Sequence, residues 1–482
     1  MWRWLLLLLL LAWLAMGIWQ RYKPLPDGTG VAWPQREADN VRLLTNETWY
    51  DANGQRHYQQ AIFDEALAMI GQARRRVMVD MFLFNNFAAD ANNADMRPLS
   101  GELTEALIAQ KTRHPGMTVT LITDPLNTLY GGLMPKHLAR LKDAGVELVI
   151  TDVARLRASN PLWSGLWHLG LNRLGNSSDA GWLPNPLGQG TITLRSYLAL
   201  ANFRANHRKT LVVDHGDSWA GLVTSANPHD ASSRHDNVAL RFDGPAALDL
   251  LASERLLARW SGGSEAAIKP AAQRPASEPA KSHAPRLRIL TEAAIRDALL
   301  DRIRQAEPGE RLDIAVFYLS HRPLIEALKA ARRRGVEVRV LLDPNRQAFG
   351  IAKSGVPNRP VAAELVEAGI KVRWCLTRGE QCHTKLLLHR PGPEAATDRA
   401  SMILGSANFT RRNLDNLNLE TSVELTGRPH TPAIARATAL FERQWQPRED
   451  HRTSQALAPD KAPGPLTYWR YRIMEATGLS TF

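Results

Sequence analysis

One pattern is written twice in this chain, once in each half, and it limits the fold more than any other feature. The first copy reads Asn206-His207-Arg208-Lys209-Thr210, runs on to Asp214, and is followed by Thr224-Ser225-Ala226-Asn227. The second reads Cys382-His383-Thr384-Lys385-Leu386 and is followed by Gly405-Ser406-Ala407-Asn408, with Glu420 behind it. Residues i and i+2 of a strand face the same way, so each copy sets an imidazole beside an ammonium.

The surrounding elements repeat too. A strand over 76–84 matches one over 312–319, and Val119–Pro125 matches Val336–Pro344, each ending in Asp-Pro. Asp143-Ala144-Gly145-Val146 is echoed by Glu367-Ala368-Gly369-Ile370, glycine marking a helix stop. Helices are expected at about 59–74 and 99–112. This is a duplicated whole α/β unit rather than a short solenoid repeat, and its alternating strands and helices predict sheets covered on both faces. The boundaries follow as a spacer with an entry strand at 24–57, a first domain at 58–260 and a linker at 261–285. A second domain at 286–447 and a tail at 448–482 complete the chain. The linker is rich in Ala, Pro, Ser and Lys, as connecting segments are.

Residues 1–23 stand apart. From Trp4 to Trp19 no charged residue occurs, Arg3 precedes the run, and Arg21 and Lys23 close it. The stretch fits a short membrane anchor with interfacial tryptophans; a cleaved signal and a buried helix are the alternatives. A formal net charge of +12 predicts attraction to polyanions, and nucleic acid and anionic lipid satisfy it equally. With 44% apolar and 22% charged residues the rest is globular, not disordered.

The only cysteines, Cys375 and Cys382, fall on either side of Arg378-Gly379. A hairpin there would set them opposite each other, as a disulfide in an oxidising compartment or as free thiols. Two cysteines and His383 leave a four-ligand metal set incomplete, so neither a metal nor a cofactor is expected.

Two His-x-Lys strands meeting at one cavity would supply two imidazoles, two ammoniums and two asparagine amides. That set has the sign and donors for a phosphodiester and its transition state. One histidine attacks phosphorus and the other handles the proton of the leaving and incoming alcohol. His137, His168, His215, His229, His235 and His321 lack such company and read as surface or structural residues.

In these residues the chain resembles the phospholipase D superfamily in its two-copy form, from about 58 to 447. The family pattern is H-x-K-x4-D followed by G-G/S-x-N. The resemblance implies two tandem α/β/α sandwich domains related by pseudo-twofold symmetry, sharing one active site. It implies that His207, Lys209 and Asn227 face His383, Lys385 and Asn408, with Ser225 and Ser406 in support. Asp214 supplies the pattern's aspartate in the first copy, and Arg390 stands at its counterpart in the second. That predicts altered strand packing rather than lost chemistry. Thr224 replaces the pattern's glycine. Members often set a carboxylate on the histidine shortly after the Asn. Glu420 fits that role for His383, whereas Ala239 holds the corresponding place in the first copy. His383 is then expected as general acid/base and His207 as nucleophile, with Asp236 a substitute orienter.

The resemblance covers enzymes acting on phospholipids and on nucleic acids. A membrane segment, together with an insertion after Ile150 that carries Trp163, Trp167 and Trp182, favours phospholipid and the membrane surface as partners. That insertion reads either as a cap on a local core or as a wall of the site touching a bilayer. The Tyr468–Arg472 stretch is expected to pack on the second domain. A nuclease is the alternative within the family, and a silent membrane-tethered binding protein the alternative outside it. Disposing the catalytic part outside the cytoplasm follows from the cysteine pair; oligomeric state leaves no trace.

Overall fold

The structure is a computed structural model, describing residues 1–87, 96–264, 284–348, 351–352, 354–392, 398–457, 464–478, 480 and 482. Most of the expected linker, 265–283, lies outside the described residues.

The first half builds an eight-stranded sheet. Its strands are β1 (Asp39–Tyr50), β2 (Arg76–Met81), β3 (Thr118–Thr123), β4 (Glu147–Ile150), β5 (Lys209–His215), β6 (Ser218–Thr224) and β7 (Asn237–Asp243). They lie in the order β1-β7-β6-β5-β2-β3-β4, with the short strand Arg56–Gln60 beyond β1. The second half builds a nine-stranded sheet from β8 (Arg286–Thr291), β9 (Arg311–Val316), β10 (Glu337–Leu342), β11 (Lys371–Cys375), β12 (Lys385–Arg390), β13 (Ala400–Gly405) and β14 (Thr421–Gly427). Their order, β8-β14-β13-β12-β9-β10-β11, is the same, extended by Arg36–Glu37 at one edge and Ser454–Ala456 at the other. In each sheet the His-x-Lys strand is antiparallel to the strand that starts a parallel trio.

Central strands are apolar because both faces are covered. Val77, Met78 and Val79 of β2 are fully buried, as are Leu312, Ile314 and Val316 of β9. One face of the first sheet is closed by helices α1 (Ile62–Gln72), α2 (Leu99–Arg113) and α3 (Lys136–Asp143), whose Ile62, Ile70, Leu103, Leu107, Leu138 and Leu141 join its core. Glycines at positive φ, Gly145 and Gly369, end the last helix of each such layer, as their repeat predicts. On the opposite faces a shared core joins both halves: Val212, Val223 and Leu240 from one sheet, Leu386, Leu404 and Val423 from the other.

Segments flanking the repeats are woven into the sheets. The 24–57 stretch gives one strand to the second sheet and β1 to the first. The tail adds Ser454–Ala456 to β11 and a helix, Pro465–Thr477, whose Tyr471 is buried in the second core. The helix Trp2–Tyr22 is largely exposed, with Gly17 and Gln20 buried and Trp13, Met16 and Arg21 half-buried, which removes the buried-helix alternative; it is long and apolar enough to cross a membrane. It crosses the insertion helix Pro161–Leu169 closely, where a Cβ on Gly165 would sit 2.8 Å from the Trp13 carbonyl oxygen.

The cysteines are joined, but not across a hairpin. Cys375 ends β11, and β11 is separated from β12 by β10 and β9. The 376–384 segment therefore crosses the ends of two strands, and the disulfide pins that crossing.

Candidate functional site

Both His-x-Lys strands open at one cleft of about 1550 Å³, which His207, Asn227, His383 and Asn408 all line. What brings them together is reciprocal docking across the interface. The His207 N–H donates to the Leu419 carbonyl (2.9 Å), and the Leu419 N–H to the Ala205 carbonyl (3.0 Å). In the other direction the His383 N–H donates to the Asp236 carbonyl and the Asp236 N–H to that of Gln381, both at 2.9 Å. The duplicated Asp-Pro aspartates set the approach. Asp124 accepts from the Asn206 N–H (2.7 Å) and Asp343 from the Cys382 N–H (2.9 Å).

Each histidine takes its Nδ1 partner from the other half. His207 Nδ1 lies 2.9 Å from a Glu420 carboxylate oxygen, so Glu420 serves His207 and not His383. His383 Nδ1 lies 3.0 Å from Asn237 Oδ1. Asn237 Nδ2 donates to the His235 carbonyl (3.0 Å), which fixes the amide with its oxygen toward the imidazole. The counterpart of Glu420 is therefore Asn237, not Ala239, and Asp236 does not orient His207. The Asp236 carboxylate instead accepts from the Thr48 N–H (2.7 Å). The supporting serines hold these partners: Ser225 Oγ donates to Asn237 Oδ1 (2.8 Å), and Ser406 Oγ donates to Glu420. Asn413 Nδ2 also donates to Glu420.

Behind the imidazoles the lysines are buried. Lys209 Nζ donates to the His207 carbonyl (2.7 Å) and Lys385 Nζ to the His383 carbonyl (2.6 Å). Each ammonium lies over a phenylalanine, Phe82 at 5.0 Å and Phe317 at 5.4 Å. Burial pushes His207 down to about 4, against the opposing pull of Glu420, and Lys209 down to about 7. Burial and then Lys385 hold His383 well below its ordinary value, and burial and then Lys209 do the same for Lys385. The site thus disfavours its own positive charge, which a bound anion would restore. Asn408 Oδ1 is buried without a partner, while its amide lines the cleft. Among the described residues no three His, Cys, Asp or Glu side chains come together as metal ligands.

Glu292 left no signal in the sequence. It is buried with its backbone at φ 43°, a region a glutamate adopts under strain. Its carboxylate accepts from Arg208 (2.7 Å), the Gly30 N–H (2.7 Å) and the Glu420 N–H (3.1 Å). The residue after His207 and the residue opposite it are thereby tied to one point.

Asp214 accepts from the N–H groups of Arg74, Arg75 and Arg76 and closes the turn before β2. Arg390 instead pairs with Asp313 (2.7 Å) and with Glu442, a different closure of the same edge. Thr224 bonds the Val238 carbonyl, whereas a Cβ at Gly405 would lie 2.4 Å from the Thr421 carbonyl oxygen. His137, His229 and His235, expected as surface or structural residues, line the cleft as well. Only tertiary approach brings them there.

Residues 299–445 match the family described as "Cardiolipin synthase, PLD-like domain". Across 93% of the chain, the fold is similar to phosphatidylserine synthase from Haemophilus influenzae Rd KW20, covering 96% of that chain at 12% identity with TM-score 0.54. A polyphosphate kinase from Porphyromonas gingivalis aligns at 13% identity and TM-score 0.44 over 92% of this chain. This chain spans only 56% of that enzyme. Nuc from Salmonella typhimurium, a phospholipase D family member, aligns with 35% of this chain and 97% of its own at 19% identity and TM-score 0.27. No curated protein matches. Residues 299–445 are thus similar to a phospholipase D-like domain, and the chain shares the α/β fold of that phosphatidylserine synthase.

Proposed function

We propose that the protein is a membrane-associated phosphodiesterase or phosphatidyltransferase acting on phospholipid head groups through a phosphohistidine. The observation that carries this is the pairing of two histidines and two asparagines on one cleft, with a buried lysine behind each imidazole and each imidazole held through Nδ1 by the opposite half. A hydrogen bond at Nδ1 leaves Nε2 free for chemistry.

The partners divide the roles. His207 Nε2 attacks phosphorus, the bond to the alcohol oxygen breaks, and that oxygen takes the proton of His383. The phosphorylated imidazole carries positive charge, which the Glu420 carboxylate stabilises. Asn237 is neutral and leaves the His383 imidazolium acidic enough to give up its proton. Water or a second alcohol then loses its proton to His383 and displaces His207. The assignment matches that expected from sequence, for the opposite reason: the carboxylate sits on the nucleophile. Asn227 and Asn408 line the cleft and donate to the phosphoryl oxygens, while Lys209 and Lys385 supply positive charge from behind the imidazoles.

Lipid is favoured over nucleic acid by the cleft wall. Phe87, Leu126, Leu133 and Leu187 line it, and the insertion that supplies Leu187 also packs on the apolar N-terminal helix. The match to a cardiolipin synthase-type domain supports the same substrate class. The disulfide supports a catalytic part outside the cytoplasm.

The test uses full-length protein and His207→Ala in vesicles with EDTA, offered phosphatidylglycerol or phosphatidylcholine beside plasmid DNA. Head-group release or transfer by the wild type alone is expected. Cleavage of DNA with untouched lipid would move the assignment to a nuclease, and turnover of neither would favour a silent binding protein.

A further inference from the structure

The N-terminal helix is not a free tether. Trp13 Nε1 donates to the Leu162 carbonyl (2.7 Å), and the Ala158 N–H donates to the Gln20 carbonyl (2.8 Å). A Cβ on Gly17 would lie 3.0 Å from the Pro161 carbonyl oxygen, the counterpart of the close approach at Gly165. The part of the helix from Trp13 to Tyr22 is therefore held against the insertion. Trp2–Ala12 remains free, a reach of about 16 Å at 1.5 Å per residue, roughly half of a hydrocarbon core of about 30 Å. However deep the docked helix sits, its neighbours sit beside it.

Those neighbours turn apolar side chains outward. On the insertion helix Pro161–Leu169 the exposed Leu162, Leu166 and Leu169 follow the helical period and form one stripe. On the tail helix Pro465–Thr477 the face carrying Tyr471 and Met474 packs on the second core, and the opposite face exposes Leu466, Trp469 and Ile473. The two faces adjoin: Trp13, Leu162, Leu166, Ala476 and Thr477 line one groove of about 430 Å³. Gly478, at φ 75°, closes the junction by packing on the Ser159 carbonyl. Cations gather where the N-terminal helix ends. Lys23 Nζ and Arg204 both donate to Gln20 Oε1 (3.0 and 2.9 Å), and Arg157 donates to the Lys23 carbonyl (3.0 Å).

We infer that the N-terminal, insertion and tail helices form one membrane-docking surface, seated together in one leaflet of an anionic bilayer. The inference rests on the membrane-associated part of the proposed function and not on its chemistry. The bilayer is the occupant because the two exposed stripes continue an apolar helix of membrane composition, and because cations edge them. Acyl chains take the stripes and lipid phosphates take the rim. Asn172 and Arg173 follow the insertion helix directly, which limits its immersion to the boundary between head groups and chains.

The experiment uses the full-length protein with one added cysteine at a time: Leu7→Cys, Leu166→Cys, Ile473→Cys and Asp217→Cys. Each is labelled with the environment-sensitive dye NBD without reductant and reconstituted in vesicles of phosphatidylglycerol and phosphatidylcholine, with or without bromine on the acyl chains. Asp217, exposed in the turn between β5 and β6, is the aqueous control. Bromine is expected to quench the label at positions 7, 166 and 473 about twofold or more and to leave position 217 unchanged. Trp469→Cys repeats the tail-helix reading should Ile473→Cys not fold. Quenching at position 7 alone overturns the surface and leaves the two stripes to a protein partner. Quenching at 166 without 473 and 469 removes the tail helix and overturns the surface as stated. No quenching at position 7 overturns the membrane reading itself. The readout needs no turnover, so a failed catalytic assignment leaves its result intact.

Discussion

Glu420 reaches across the interface to His207, so its removal acts on a residue of the other half. Glu420→Gln keeps the shape and removes the charge that balances a phosphorylated imidazole in the proposed mechanism. A hydrogen bond to a charged group contributes about 1.5–3 kcal/mol, so kcat should fall roughly 10- to 100-fold with little change in KM. Asn237→Asp does the reverse to His383. A carboxylate at Nδ1 raises the imidazole pKa, so the alkaline limb of the kcat/KM profile should move to higher pH. Proton inventory gives a second check. Burial holds Lys209 down to about 7, so it loses its charge as pH rises through that value. A bound phosphate dianion raises that pKa, so binding must take up protons and tighten as pH falls from 8 toward 7. Calorimetry of phosphate binding in buffers of different ionisation enthalpy would show the uptake. Much of this layer is legible in sequence: the His-x-Lys pairs, both asparagines and both serines lie where the strand period puts them. The partners of the histidines are not legible. The stretch from Asn227 to Asn237 is two residues shorter than that from Asn408 to Glu420, so equal spacing points at Ala239 instead.

At the scale of elements, the crossing segment 376–384 is the most consequential. It leaves β11, passes over the ends of β10 and β9, and delivers Gln381 and His383 to the cleft, with the Cys375–Cys382 disulfide across it. Closing so short a loop contributes about 2–3 kcal/mol by the chain-entropy estimate. Reduction, or Cys375→Ser with Cys382→Ser, should lower the melting temperature in that proportion. Activity should fall more than stability, because the freed residue precedes His383. Melting curves and turnover with and without reductant would separate the two. Sequence spacing alone suggests a hairpin here because antiparallel neighbours are the commonest short connection. The parallel trio β9-β10-β11 makes that geometry unavailable. Helix stops at Gly145 and Gly369 and the buried runs of β2 and β9 are readable, since they follow from local chemistry.

For the whole molecule, the two halves are not independent beads on a linker. Val212 and Val223 pack in one core with Leu386 and Leu404, the 24–57 stretch feeds both sheets, and each His strand is docked on the other half. Heating should therefore give one cooperative calorimetric transition, and two separated transitions would contradict this packing. The duplication is legible because both copies keep the same order of strands and the same Asp-Pro and Gly signals. The weaving is not, because edge strands such as Arg36–Glu37 are too short to carry a pattern and are recruited by tertiary contact. The central claim is that the two halves make one phosphodiester site with His207 as nucleophile. It is tested by quenching the full-length protein with alkaline denaturant, which spares a phosphohistidine N–P bond, during turnover of a diester labelled at phosphorus and mapping the labelled peptide. Label is expected on His207, accumulating further in His383→Asn, which retains the nucleophile but lacks the proton carrier. Label on His383, or none on any histidine while turnover proceeds, would contradict it.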